Sequence, residues 1–243
     1  MPKLIWYDDF NYEGPPDPGK WRLETGGHGW GNRELQYYTD RRKPEDANAY
    51  VTGGRLVIAL RREPFGGCDY TSARLNSRAS WRYGRIEVMA KLPSGAGTWP
   101  AIWMLGEGIG QTGWPLCGEI DIMEHVGRDP DRVYFSLHSK LYNHALRTHL
   151  TQTRVLPGVS EGFHQYAVDW KEDAVTFLFD DEAVAQWRNG EAGRVSTADG
   201  WPFNAPFYLL LNVACGGGFG GPPDGLCLPQ TMEVQYVRVY REE

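Results

Sequence analysis

No stretch of this chain approaches the run of about 18 apolar residues that a membrane-spanning helix needs. No CxxC pair occurs among its four cysteines, Cys68, Cys117, Cys215 and Cys227, which removes the common zinc signatures. Cys215 and Cys227 flank a Gly/Pro-rich loop, a spacing that permits a bridge and equally permits two buried thiols. Lysine and arginine are scattered, there is no basic stripe, and the net charge is −6, so the chain has no electrostatic footprint for nucleic acid. No twelve-residue segment carries a helical apolar stripe. The two glycine-rich loops, GGHGWGN (26–32) and CGGGFGGPPDG (215–225), do not lead into helices, which argues against phosphate cradling. No secretory leader is visible either, because Met1-Pro2-Lys3 runs straight into LIWYDDF, a strand-like segment. Internal repeats, low-complexity linkers and breaks in composition are all missing, so residues 1–243 are expected to form one domain.

What the chain does have is turns, aromatics and alternation. Thirty glycines and sixteen prolines point to many turns. Ten tryptophans supply flat apolar faces that suit either a core or a sugar ring, and about half are expected to be structural. GRIEVMAK (84–91) alternates Ile86, Val88 and Ala90 with Arg85, Glu87 and Lys91, the period of a strand with one buried face. RLVIALR (55–61), DRVYFSLHS (131–139), HQYAVDW (164–170), AVTFLFD (174–180), PFYLLLNV (206–213) and MEVQYVRVY (232–240) are further strands, rich in Val, Tyr, Phe and Trp. Asp181-Glu182 has the length of a two-residue hairpin loop. RKPEDANAY (42–50) has room for one helical turn. Many strands with turn signals between them predict an all-β sandwich or barrel, with both termini paired into sheets.

GEIDIMEHVG (118–127) places Glu119, Asp121 and Glu124 inside an apolar run. Buried carboxylates are costly unless paired, hydrogen-bonded or useful. On a strand, Glu119 and Asp121 share a face and Glu124 has the wrong parity. One extra residue near Ile122-Met123, a β-bulge, restores Glu124 to that face. The two glutamate backbones would then lie roughly 13 Å apart at about 3.3 Å per residue. Long side chains leaning inward could bring the carboxyls to about 5–5.5 Å, the separation used by retaining glycosidases. Such an enzyme needs one ionised carboxylate as nucleophile and one carboxylic acid, and a neighbouring negative charge raises the acid's pKa. The spacing is equally compatible with solvated charges on an edge strand, with Ile120 and Ile122 as the core face. A calcium site is a third reading, but EIDIME lacks the glycine-bearing loop of an EF-hand.

GEIDIME resembles the catalytic signature E-x-D-x-x-E of family 16 glycoside hydrolases, in the longer spacing of the laminarinase and agarase branches. GWGNRELQYYT (29–39), YTSARL (70–75), RYGRIEVMAKLP (82–93), GTWPAIWML (97–105), VYFSLHS (133–139), PFYLLLNVACGG and VQYVRVY are similar to laminarinase segments along most of the chain. The resemblance implies a β-jelly-roll sandwich of two antiparallel sheets with a concave cleft. It implies retaining endo-hydrolysis of β-1,3-glucan, extending to mixed β-1,3-1,4-glucan, by a secreted, monomeric enzyme whose partner is the polysaccharide. Glu119 is similar to the nucleophile, Glu124 to the acid/base and Asp121 to the assisting carboxylate. Asn32, Arg74, Trp99, Trp103, Trp114 and His138 correspond to substrate-binding positions; Trp103 has core packing as its alternative, and Arg74 an acidic neighbour on the sheet. Trp30 joins the cleft wall, and His125, of opposite parity to Glu124, is structural.

Two departures carry expectations. GGGFGG places Phe219 near a position usually held by tryptophan, which weakens stacking at that end. Gln235 replaces the aspartate that often helps hold a structural Ca²⁺, so a calcium site is expected to be weak or missing and no cofactor is required for the reaction. The rival readings are an agarase-type galactan hydrolase on the same fold and a non-catalytic β-glucan-binding protein. GWGNRELQYYT argues against the first, and retention of both glutamates against the second.

Overall fold

The computed structural model describes residues 2–43, 45–225 and 228–241. Among them, seventeen strands run in chain order: β1 (Lys3–Asp8), β2 (Trp21–Leu23), β3 (Gln36–Tyr38), β4 (Ala49–Thr52), β5 (Arg55–Phe65), β6 (Cys68–Ser72), β7 (Arg74–Trp81), β8 (Gly84–Lys91), β9 (Thr98–Gly106), β10 (Glu119–His125), β11 (Arg132–His138), β12 (Leu150–Val155), β13 (His164–Trp170), β14 (Ala174–Phe179), β15 (Glu182–Arg188), β16 (Phe207–Cys215) and β17 (Gln230–Arg241). Helix is confined to short turns such as α1 (Ile109–Thr112) and α2 (Gly217–Gly220), as the lack of any apolar helical stripe predicts. Within 42–50 the Ala47 N–H bonds to the Lys43 carbonyl four residues back, the spacing of a single helical turn, and Pro44 lies outside the described residues.

The strands form two sheets. One has ten strands in the order β15-β14-β13-β8-β17-β5-β6-β3, with β1 added on β17 and β4 on β5. The other has seven, ordered β12-β11-β10-β9-β16-β7-β2. Pairing is antiparallel except for β3 on β6. The first and last of the described strands pair, β1 with β17 from Lys3 opposite Arg241 to Asp8 opposite Val237.

Alternation sets which faces meet. On β8, Ile86, Val88 and Ala90 are buried while Arg85, Glu87 and Lys91 stay partly exposed. On β17 the buried set is Met232 and Val234, then Val237 and Val239, so parity flips once. The flip coincides with a register shift between Val234 and Tyr236, which leaves Gln235 exposed at the irregularity. Aromatic rings cross the interface between the sheets: Trp170 lies 5.2 Å from Phe207 and Phe135 lies 5.9 Å from Phe177. Such pairs add about 0.5–1.5 kcal/mol each beyond their burial. Trp21, Trp81, Trp170, Trp187 and Trp201 belong to this core, which accounts for half of the ten.

One hairpin differs from its expected position. The loop between β14 and β15 is Asp180-Asp181, with Phe179 opposite Glu182. Both aspartates have positive φ, 47° and 66°, the conformation of a type I′ turn, which aspartate tolerates better than glutamate does. The cysteines Cys68, Cys117 and Cys215 are free thiols. Cys227 lies outside the described residues, so its pairing with Cys215 does too.

Candidate active site

Strand β10 is an interior strand of the seven-stranded sheet, third from the β12 edge. On one side Glu119 is opposite His138 and Glu124 opposite Tyr134; on the other side they are opposite Leu105 and Ala101. Five residue steps on β10 therefore match four on each neighbour. The extra residue falls between Asp121 and Glu124, and both Ile122 and Met123 are fully buried in the core. Two consecutive core residues are the signature of a bulge. It returns Glu124 to the face of Glu119 and Asp121, as the sequence spacing demands. Gly118, just before the strand, has φ +80°, and a Cβ there would meet the Phe207 ring and Pro202 at 2.8–2.9 Å. Only glycine fits that approach.

The three carboxyls stand in one electrostatic unit. Asp121 is buried beneath the two glutamates and hydrogen-bonds Glu119. His138 Nε2 lies 3.2 Å from Asp121 Oδ2 and 3.7 Å from Glu119 Oε1. The Trp99 indole donates to Glu124 Oε1 at 2.9 Å, and the Trp114 indole donates to Glu119. Burial, and then repulsion from Asp121, pushes Glu119 and Glu124 up to about 8; burial pushes Asp121 up to about 8 as well. Three acids this close cannot all be ionised near neutral pH. The cluster favours a single carboxylate, with the other protons held until the medium is alkaline. Glu119 is the natural seat of that charge, because it faces His138, receives the Trp114 N–H and shares a proton with Asp121.

This burden has a thermodynamic consequence. A carboxyl whose folded pKa lies above its unfolded value of about 3.9 costs the fold progressively as pH rises from there to its folded value. Asp121→Asn removes one such group. Its melting temperature should match the parent at about pH 4 and exceed it by several degrees at about pH 9. A difference independent of pH, read by calorimetry at the two extremes, would contradict the buried-acid account.

The carboxyls lie along a groove over the seven-stranded sheet. One half, about 370 Å³, is lined by Trp30, Asn32, Arg74, Trp103 and Asn212. The other, about 520 Å³, is lined by Tyr134, Ser136, His138, His149 and Phe219. Gly31, Asn32, Trp99, Glu119, Glu124 and His144 border both. Asn32, Arg74, Trp99, Trp103 and Trp114 thus all reach the groove, as their sequence positions suggest. Arg74 also takes its alternative role, ion-paired to Glu24 at 2.5 Å while its guanidinium sits between the Trp30 and Trp103 rings at 4.7 and 4.8 Å. His138 borders the groove yet is only 5% exposed, so its main contacts are the carboxyls rather than open solvent. His125 is buried against the Pro130 carbonyl at 3.0 Å, a structural residue. Phe219 does not leave its end bare: its ring packs edge-on against Trp99 at 5.4 Å and Tyr134 at 4.9 Å.

Several residues of the groove escaped the sequence reading. Glu34 is 9% exposed and accepts hydrogen bonds from Asn32, Gln36 and Tyr38 at 3.2, 2.6 and 3.1 Å. Burial raises its pKa against the pull of those donors. The chain of bonds continues from Asn212 Nδ2 to the Tyr38 hydroxyl at 3.1 Å, and from Trp103 Nε1 to Asn212 Oδ1 at 2.8 Å. The signal was the alternation of polar residues at 32, 34, 36 and 38 within GNRELQYY. His144 and His149 were also missed, since neither belongs to a strand with readable parity.

Among the described residues, Glu119, Asp121 and His138 form the one group of three side chains able to share a metal ion. Two carboxylates and one imidazole fall short of the six to eight oxygens calcium takes. Gln235, exposed on β17, offers a neutral amide where calcium favours charged oxygens, which weakens any calcium site at that position.

Comparison with known proteins agrees with this geometry. Residues 32–224 match the model of glycosyl hydrolases family 16. The chain is 49% identical to a β-glucanase of Rhodothermus marinus over 98% of its own length and 85% of that protein's. It is 38% identical to a glucan endo-1,3-β-glucosidase of Cryptopygus antarcticus, covering 97% of this chain and 90% of that one. Its fold superimposes on the X-ray structure of the laminarinase from Rhodothermus marinus with a TM-score of 0.92 at 47% identity, covering 99% and 98% of the two chains.

Proposed function

The chain belongs to glycosyl hydrolase family 16, and on that premise we propose that it cleaves β-1,3 bonds within laminarin-like glucans, with retention of configuration. Mixed-linkage β-1,3-1,4-glucan is included as a substrate where a 1,3-linked unit precedes the cut. The observation that carries this reading is the single bulged residue after Asp121, which turns two glutamates of one strand onto one groove.

Glu119 acts as nucleophile. Its carboxylate attacks the anomeric carbon while the Glu124 carboxyl gives its proton to the departing glycosidic oxygen. The C–O bond breaks and an ester to Glu119 forms. In the second half-reaction Glu124, now a carboxylate, takes a proton from water, and the water oxygen displaces Glu119 from the same carbon. Two inversions give net retention. Asp121 takes up the proton it shares with Glu119, which frees the nucleophile when its charge is needed, and His138 holds that pair in register. Trp30, Trp99 and Trp103 offer faces on which pyranose rings stack, and Arg74 fixes the tilt of two of them. The size of a laminarin chain, too large to cross a membrane, supports action outside the cell.

Time-resolved NMR of laminarin digestion tests this directly. The first new reducing ends should be β-anomers. Release of α-anomers first would overturn the mechanism, and reducing ends from agarose but not laminarin would move the substrate to galactan.

A further inference from the structure

Four strands, β9, β16, β7 and β2, lie on one side of β10, and only β11 and β12 on the other. At about 4.8 Å per strand the groove floor extends roughly 19 Å one way and 10 Å the other. Retaining chemistry treats the two sides differently. The sugar esterified to Glu119 must stay bound between the two half-reactions, while the other fragment leaves and water enters. The longer side, with its continuous network from Asn32 through Glu34, Tyr38 and Asn212 to Trp103, suits retention. The short side, ending at the edge strand β12, suits departure.

Two exposed histidines stand beyond β11: His149 lines the short half alone, and His144 stands where the two halves meet and borders both. His144 stacks on Trp114 at 4.7 Å and meets the His138 ring edge-on at 5.4 Å. His149 lies parallel to His138 at 5.5 Å, an interplanar angle of 8°. Among the described residues neither imidazole has a hydrogen-bond partner. The loop between them is nevertheless firmly built. Buried Asn143 donates to the Ser139 and Lys140 carbonyls, both at 3.1 Å, and accepts from the Leu146 N–H at 3.1 Å. Thr148 closes it through the Leu141 carbonyl at 2.8 Å. A loop ordered this tightly presents the two imidazoles at fixed positions with their nitrogens unspent. Burial and the neighbouring imidazoles depress the pKa of both, so each is neutral at neutral pH and offers one donor and one acceptor. Adjacent sugar hydroxyls, which both donate and accept, match that pattern.

On the reading that this is a retaining β-1,3-glucanase, we propose that His144 and His149 form the binding site for the glucosyl unit on the leaving-group side, and for an incoming sugar acceptor when one replaces water. The pair would then determine where along an oligosaccharide the cut falls and how often the glycosyl-enzyme ester passes to sugar rather than water. In the transfer step the acceptor hydroxyl gives its proton to Glu124 and its oxygen bonds to the anomeric carbon as Glu119 departs.

The test compares two donors in the His144→Ala/His149→Ala double variant. Laminarihexaose fills the short side, and β-laminaribiosyl fluoride, whose leaving group is a single atom, does not. The ratio of kcat/KM for hexaose to that for fluoride should fall about tenfold or more, equivalent to ~1.4 kcal/mol. Transfer to added laminaribiose, measured against hydrolysis of the fluoride, should fall with it. An unchanged ratio, whether both rates drop together or neither moves, would overturn the assignment. If the parent protein cleaves neither donor, the glucanase reading itself fails, and the two failures are distinct.

Discussion

Glu119→Ala should lose laminarin hydrolysis on the order of 10⁴-fold or more, as removal of a covalent nucleophile does in other hydrolases. Binding of laminarin should survive, because the rings and polar groups of the groove are untouched. The variant should also be no less stable than the parent above neutral pH, since it sheds a carboxyl that burial holds near 8. The decisive result is chemical rescue. Azide occupies the space left by the carboxylate and attacks the anomeric carbon from the same side. With β-laminaribiosyl fluoride the product should be the α-glycosyl azide, formed by one inversion. A β-azide would mean that another group makes the first displacement. Turnover within tenfold of the parent would remove Glu119 from the mechanism altogether.

The sequence-level reading and the structure meet most closely at β10. Parity alone put Glu119 and Asp121 on one face and Glu124 on the other, and a bulge was the one local device that could reconcile them. The register shows that device in the pairing with both neighbouring strands. The sheet order was not legible in the same way. Which strand neighbours which depends on contacts between distant segments, such as β16 between β7 and β9, and no local period encodes that. The parallel pairing of β3 with β6 is likewise invisible in alternation.

The site divides along the same line. Residues on regular strands, such as Trp99, Trp103 and Arg74, could be placed by resemblance. Residues on turns could not. Glu34 sits in a bridge beside Gly216, and its burial comes from partners on the chain before and after it. His144 and His149 sit at either end of a loop whose shape is set by the side chain of Asn143, a local amide network that leaves no periodic pattern in the sequence. The hairpin at Asp180-Asp181 was misplaced by one residue for a related reason: its length was readable, but the positive φ of each aspartate was not.

Glu124→Gln separates the two half-reactions. Glutamine keeps the volume and can still accept the Trp99 N–H, but it has no proton to give a leaving oxygen. Hydrolysis of laminarin should fall by about 10²–10⁴-fold, the usual worth of a general acid. β-Laminaribiosyl fluoride should fare better in the first step, because fluoride needs little protonation to leave. Its second step lacks a base, so the ester to Glu119 accumulates and a burst of fluoride precedes slow turnover. The pH profile gives an independent reading. In the parent protein kcat/KM should fall as pH rises through about 8, where Glu124 surrenders the proton that burial has held. In the variant that alkaline limb should flatten. Glu124→Ala adds a stereochemical check, since azide then intercepts the ester from the face that water used. That product should be the β-azide, after two inversions, opposite in configuration to the one expected from Glu119→Ala. Identical azides from both variants would mean that the two glutamates do not occupy the two roles assigned to them.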